Sequence, residues 1–312
     1  MNRTLQALSA LLALSAAGPC LGAHFDVKQD AQGVTVHVDG KLMTRYLVKS
    51  GAKPILWPLV GPTGKEMTRG YPMRDALPTE RSDHPHQRSF WFTHGNVNGI
   101  DFWSEMKNHG EIVHREFVRV AGGKQAVIVT RNDWMGPDGK RVCEDQRSFT
   151  FDANDRARWI DCDLVVQAAD GPVTFGDTKE GSFGVRVAGT MKVTAKLGGK
   201  IVNSEGQTDE AAWGKRAPWV DYYGPVDNEI LGIAIMNHPT SFRYPTYWHV
   251  RTYGLFTANV FGVRDFTGDK NADGSYTLPA GESIRFRFRV LLHVGDEKQG
   301  KVAESFQDYA KL

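Results

Sequence analysis

The ten residues SIRFRFRVLL, from Ser283 to Leu292, decide the fold. Ile284, Phe286, Phe288 and Val290 alternate with Arg285, Arg287 and Arg289. A repeat of two is the repeat of a β-strand, whose successive side chains leave opposite faces. One face apolar and the other charged describes an antiparallel strand with a wet side. Working outward, GVTVHVDG (33–40) places Val34, Val36 and Val38 on one face between two turn signals. AVIVT (126–130), RSFTF (147–151), WIDCDLVV (159–166) and GVRV (184–187) repeat the theme. The 33 glycines and 14 prolines interrupt these runs at short intervals, which suits β-sandwiches and not βαβ units. Helical periodicity appears only in KVAESFQDYAKL (301–312), read as one short surface helix. With no repeat, low-complexity linker or domain boundary in view, residues 24–312 are expected to form one large antiparallel β domain.

The start of the chain reads differently. Arg3, the apolar run LQALSALLALSAAG (5–18) and the small residues Cys20, Gly22 and Ala23 make an export signal over residues 1–23. Pro19 directly before Cys20 speaks against a lipoprotein site. No later stretch approaches the roughly 18 unbroken apolar residues of a membrane helix. The expectation is a soluble periplasmic or secreted protein with no membrane span. A net charge of +2, with both signs interspersed, implies neither a nucleic-acid partner nor an anionic membrane. Cys143 and Cys162 flank a hairpin with its turn near DAND (152–155), and either a disulfide or two buried thiols fits.

Four segments break the strand pattern with reactive side chains. The densest is DHPHQRSFWFTHGNVNGIDFWSE (83–105), in which imidazoles, carboxylates and indoles crowd together. Such groups resist burial without partners, so this stretch belongs to a cleft more than to a strand core. FGDTKEGSFGVRV (175–187) supplies Asp177, Lys179, Glu180 and Arg186, with Gly176 and Gly181 marking a bend. WGKRAPWVDYYG (213–224) and MNHPTSFRYPTYWHVRTYGLFTANVFG (236–262) add aromatics, arginines and histidines. In the last, His249, Arg251 and Tyr253 share a face opposite Trp248 and Val250. His84 and His86 share the spacing of many metal ligands, but Pro85 separates them and further ligands must come from afar. A divalent metal there is the minority reading, and no cofactor is expected. No G-x-S-x-G elbow, Walker loop or dinucleotide fingerprint is present.

The blocks KPILWPLVGPTGKEMTRGYPM (53–73) and DHPHQRSFWFTHGNVNGIDFW (83–103) resemble an exported bacterial family labelled methane oxygenase PmoA-like, otherwise a domain of unknown function. DTKEGSFGVRV, WGKRAPWVDYYG and PTYWHVRTYGLFTANVFG resemble further blocks of it, so the likeness spans roughly residues 30 to 295. The family pattern reads DHPHHR, and Gln87 here replaces the third histidine. A membrane oxygenase subunit needs several spanning helices, which this chain lacks after its signal. The resemblance implies a β-supersandwich like that of galactose mutarotases and related glycoside-active enzymes. Their relatives bind sugars in an open cleft across one sheet, with His and Glu or Asp as acid and base.

The expected function is therefore that of an exported carbohydrate-active enzyme, with hydrolysis, elimination and epimerisation all open. Glu180 with His86 or His249 is the expected acid–base set, and Lys179 tunes a neighbouring carboxylate or holds an oxyanion. Arg88, Arg251 and Asn259 would bind hydroxyls, and Trp91, Trp103 and Trp248 would stack on sugar rings. His84, His94, Asp177 and Arg186 complete the expected substrate-binding set. Two other readings stand beside it, a non-catalytic glycan-binding module and a metal-dependent oxygenase. Convergence of His86, His249 and Glu180 on one pocket is the geometric discriminator.

Overall fold

The computed structural model describes residues 22–312, so the export signal read at residues 1–23 lies outside the described residues but for Gly22 and Ala23. The chain opens with β1 (Phe25–Asp30), β2 (Gly33–Val38), β3 (Lys41–Ser50), β4 (Lys53–Leu56) and β5 (Phe90–His94). It then crosses to β6 (Glu111–Ala121), β7 (Ala126–Met135), β8 (Arg141–Ala153) and β9 (Ala157–Gln167), a run of long antiparallel hairpins. Next come β10 (Val173–Phe175), β11 (Gly181–Arg186), β12 (Lys200–Asn203), β13 (Trp219–Val226), β14 (Glu229–Asn237), β15 (Tyr247–Val250) and β16 (Leu255–Asn259). A short helix α1 (Val263–Thr267) precedes β17 (Tyr276–Leu278), β18 (Ser283–Val294) and the terminal helix α2 (Val302–Tyr309).

Two eight-stranded antiparallel sheets result, ordered β1-β2-β3-β4-β5-β11-β16-β15 and β12-β13-β14-β18-β9-β8-β7-β6, with β10 and β17 pairing separately. The sheets are joined by aromatic contacts across the core. Phe183 of β11 stacks on Phe288 of β18 at 4.3 Å, and Phe90 of β5 meets Phe149 of β8 edge-on at 6.0 Å. The fold is thus the large antiparallel β-sandwich expected from the alternating sequence.

β18 behaves as its pattern dictates. Ile284, Phe286, Phe288 and Val290 enter the core, while Arg285 pairs with Asp163 and Arg289 with Asp161 of β9. The wet face is not uniformly wet. Arg289 lies 4.7 Å from the Tyr309 ring of α2, and α2 packs on Ala234, Met236 and Leu291. The expected terminal helix therefore exists and covers one end of the second sheet.

The cysteine question is answered by register. Phe149 of β8 opposes Cys162 of β9, and residue 143 lies six positions further along β8. At about 3.3 Å per residue that is roughly 20 Å, far beyond the Cα spacing of a disulfide. Both cysteines are buried free thiols. No helix among the described residues is long and apolar enough to cross a membrane.

Candidate functional site

The central strands β5, β11 and β16 of the first sheet are buried on both faces, which sets them apart from β1 and β3. Phe90, Phe92, Phe183, Val185, Phe256 and Ala258 point into the core. Their alternates form the outer face. Register places Trp91, Gly184, Thr257 and His249 in one row across β5, β11, β16 and β15. Adjacent strands lie about 4.8 Å apart, so Trp91 and His249 bracket a floor roughly 14 Å wide. Gly184 is needed there, because a Cβ would fall 2.9 Å and 3.0 Å from two carbons of the Trp91 indole. The ring lies across the glycine as part of the floor.

Walls rise from the segments after β4 and β5. Trp103 meets Trp91 edge-on at 5.5 Å, and His86 sits 6.0 Å from the Trp103 ring. Beneath them a charged frame is closed by Lys53, which is fully buried and places Nζ 2.6 Å from Glu105 Oε1. Arg88 donates to the same carboxylate, Nη2 to Oε2 at 3.1 Å. Burial disfavours the Lys53 cation, and despite Glu105 its pKa falls to about 8. Burial would raise Glu105, but Lys53 and Arg88 outweigh it and hold the carboxyl at about 2. Burial, then the Lys53 charge, pushes His86 down to about 4, so its imidazole is neutral.

The turn that carries the histidines is gripped by one side chain. Buried Arg69 donates from Nη1 to Asp83 Oδ1 at 2.9 Å, and from Nη2 to the carbonyls of His84 at 2.8 Å and Gln87 at 3.0 Å. His84 is held there with φ +44° and stacks on Tyr253 at 5.8 Å, while its ring stands 5.7 Å from that of His86. Arg186 lies over the Tyr253 ring at 4.7 Å and donates to Gln87 Oε1. Among the described residues no three His, Cys, Asp or Glu side chains gather as a metal-holding group, and His84 and His86 stay a pair.

Glu180 projects beside this wall. Burial raises its pKa, Lys179 pulls it back, and Asp101 raises it further, so the carboxyl holds its proton more tightly than an exposed glutamate. The charges of Asp101 and His84 bear on the proton affinities of both Glu180 and His86. His249 is buried at the far flank. Its Nδ1 donates to the Lys179 carbonyl at 2.8 Å, and burial lowers its pKa to about 4. A carbonyl only accepts, so the proton sits on Nδ1 and the Nε2 lone pair is left bare.

The other expected site residues divide by face and partner. His84 is exposed and Arg251 half-buried, lying over the Trp213 and Tyr253 rings at 5.7 Å and 5.8 Å, whereas Trp91, Trp103 and Arg186 are buried, so the two indoles have no free face for the expected stacking on a sugar ring. Arg88 supports Glu105 from below. Asn259 donates to the Thr178 carbonyl at 2.8 Å and accepts from the Phe261 amide at 2.8 Å, which fixes the loop bearing Lys179 and Glu180. Asp177 accepts from the amides of Arg264 at 3.0 Å and Gly274 at 2.6 Å, and so ties loops together. Two residues lie away from the cleft. His94 shares the core face with Phe90 and Phe92, packs near Phe175 and Phe261, and has both ring nitrogens bonded, to Ser182 Oγ and the Gly176 carbonyl. Trp248 is a core residue whose Nε1 donates to the Ala217 carbonyl at 2.9 Å. Lys53, Arg69 and Tyr253 contact these residues without having been in the expected set.

No curated protein matches the chain. Among solved structures, a galactose mutarotase-like protein from Clostridium acetobutylicum aligns over 88% of this chain and 99% of its own at 9% identity, with a TM-score of 0.44. A galactose mutarotase-like protein from Lactobacillus casei aligns over 86% and 100% at 8% identity, with a TM-score of 0.39. The chain also matches 40% of the length of an alpha-galactosidase from Geobacillus stearothermophilus, covering 87% of itself at 9% identity and a TM-score of 0.42. The sequence family that matches carries no oxygenase description. Its model spans residues 33–307, and the chain belongs to this family of unknown function, DUF6807.

Proposed function

We propose that this is an exported enzyme acting on a sugar or sugar derivative by acid–base chemistry in the cleft of the first sheet. The observation that carries the reading is a pair of glutamates pushed apart by their surroundings. Glu105 is pinned ionised by Lys53 and Arg88, whereas burial raises Glu180 and no hydrogen bond engages its carboxyl among the described residues. Carboxyl groups with separated proton affinities are the means by which one site both gives and takes protons near neutrality. Glu180 is the group that exchanges the proton, tuned by Lys179. His86, neutral beside the indole wall, orients a hydroxyl and accepts from it. Trp91 and Trp103 are buried and back the site from behind.

A product screen by NMR tests this. The protein is incubated with a panel of glycosides and oxidised sugars, beside Glu180→Gln and His86→Ala. Conversion by the wild type, reduced about 100-fold or more in Glu180→Gln, is the expected result. Undiminished conversion by Glu180→Gln sinks the assignment. Ligand signals that shift without conversion, equally in all three proteins, indicate a glycan-binding module instead.

A further inference from the structure

At the β15 edge of the first sheet, beside the flank that holds His249, lies a cavity of about 290 Å³ lined by Glu210, Trp213, Val250, Arg251 and Thr252. Trp213 joins it to the cleft, because the half-buried indole that lines the cavity also stands 6.3 Å from the His249 ring. The walls are built from bonded backbone. Glu210 lies in the helical turn Asp209–Ala212, where Asp209 Oδ1 accepts from the Ile201 amide at 3.0 Å. The Trp213 amide donates to the Glu210 carbonyl at 3.2 Å, and the Gly214 amide to the Trp248 carbonyl at 2.9 Å. Residues 250–252 are held likewise. The Arg251 amide donates to the Leu255 carbonyl at 2.7 Å, and the Thr252 carbonyl accepts from the Thr194 amide at 3.1 Å and the Tyr222 hydroxyl at 3.0 Å. The cavity is thus pre-formed, at the small end of the about 300–1,000 Å³ that ligand pockets span.

The polar side chains in it are unspent. Arg251 lies over the Trp213 ring at 5.7 Å and the Tyr253 ring at 5.8 Å, yet its guanidinium has no hydrogen-bond or ion-pair partner among the described residues. Two aromatic rings thereby hold a cation whose donors stay open. The Glu210 carboxylate and the Thr252 hydroxyl are equally without partners among the described residues. Glu210 is exposed and Arg251 and Thr252 are half-buried, so a ligand in the cavity reaches all three. Arg251 brings donors alone, Glu210 acceptors alone, and Thr252 both.

We infer that this cavity is a subsite for one neutral sugar ring, with Arg251 and Thr252 donating to its hydroxyls and Glu210 accepting from them. The inference rests on the carbohydrate reading and gives the ring a seat away from the buried Trp91 and Trp103. Each hydroxyl carries a donor and an acceptor together, and so answers a guanidinium and a carboxylate in one small space. A carboxylate on the ligand would meet the charge of Glu210, and an ammonium that of Arg251. One cation and one anion in the same cavity therefore favour an uncharged ring, and the volume suits one ring more than a chain.

Sequence-assigned amide and indole NMR spectra of the full chain test this. The probes are the methyl glycosides of glucose and galactose, with glucuronate and glucosamine as charged comparators. The neutral glycosides are expected to shift the Trp213 indole signal saturably. Their affinity is expected to fall about tenfold in Arg251→Gln and in Glu210→Ala, since each change removes a hydrogen bond to a charged group. Saturable shifts elsewhere in the cleft with the Trp213 signal unmoved overturn the subsite and leave the carbohydrate reading standing. Unchanged affinity in both variants does the same. Either charged sugar binding about tenfold tighter than the neutral glycosides overturns the neutral class. If no sugar shifts any signal, the subsite and the carbohydrate reading fall together. The map on the wild-type chain needs no variant to fold.

Discussion

Glu105→Gln removes the carboxylate on which the charged frame below His86 depends. Lys53 is fully buried 2.6 Å from that carboxylate, and Arg88 approaches it at 3.1 Å. Removing one partner of a buried ion pair costs about 3–5 kcal/mol when the orphaned charge must stay. Lys53 has an escape, because burial already holds it near 8 and Glu105 is the main influence keeping it that high. Discharging an amine of pKa 8 at pH 7 costs about 1.4 kcal/mol, and the stranded donors of Lys53 and Arg88 add about 1–3 kcal/mol. The expected loss is thus about 2–4 kcal/mol, read from urea unfolding at pH 7. Lys53→Met/Glu105→Gln should cost less than the two single changes summed, by about 1 kcal/mol or more.

The same residue gives a pH signature of defined sign. Glu105 falls from an ordinary 4.5 to about 2 in the fold. A lowered carboxyl stabilises fully above its unfolded value, and its contribution disappears as pH falls toward the folded one. At about 1.4 kcal/mol per pH decade the drop is worth about 3 kcal/mol, lost between pH 4.5 and 2. The gap between wild type and Glu105→Gln should therefore narrow over that window. A Glu105→Gln chain within about 0.5 kcal/mol of wild type at pH 7, or strictly additive single changes, would refute the buried frame.

Two further outcomes follow from buried groups. His94 and His249 are pushed by burial to about 4, so the unfolded chain takes up protons first as pH drops below the ordinary 6.5. Stability is fully present above 6.5 and lost toward 4, about 3 kcal/mol for each ring. His293 opposes this in part, because Asp221 raises it against its burial. The urea midpoint should fall between pH 6.5 and 4.5; a flat profile argues against neutral buried imidazoles. Burial also raises Cys143 and Cys162 well above an ordinary thiol, so both should resist thiol reagents in the folded chain and react once it is unfolded. Detection of a Cys143–Cys162 disulfide by mass spectrometry would contradict the β8–β9 register.

What the sequence discloses is local periodicity, and what it conceals is which strands meet. Alternation in SIRFRFRVLL and GVTVHV foretells β18 and β2, and the same alternation separates Trp248 from His249. Applied to FWFTH it also places His94 with Phe90 and Phe92 on the core side, so the burial of His94 was legible in parity alone. Sheet order is another matter. β11 lies between β5 and β16, which brings residue 184 between residues 91 and 257, and no spacing rule encodes that row. Lys53 looks like an exposed lysine at the start of a strand. Its burial depends on Glu105, distant in sequence, and becomes visible only when the two are paired.

Gln87 is held by the two arginines that share Asp83. In the pattern of the family this chain resembles, a histidine occupies that position. Here the residue is buried, its carbonyl accepts from Arg69 at 3.0 Å, and its side-chain oxygen accepts from Arg186. An imidazole could meet Arg186 only through a bare ring nitrogen, and would lose that acceptor whenever it took up a proton. An amide oxygen stays an acceptor at every pH. The exchange of histidine for glutamine therefore touches the cationic end, where Arg69 and Arg186 share Asp83, and leaves Glu180 and its tuning by Lys179 alone. The two groups of contacts are thereby distinct: burial raises the Glu180 carboxyl, and neutral acceptors with one shared carboxylate hold the Arg69 and Arg186 guanidinium groups.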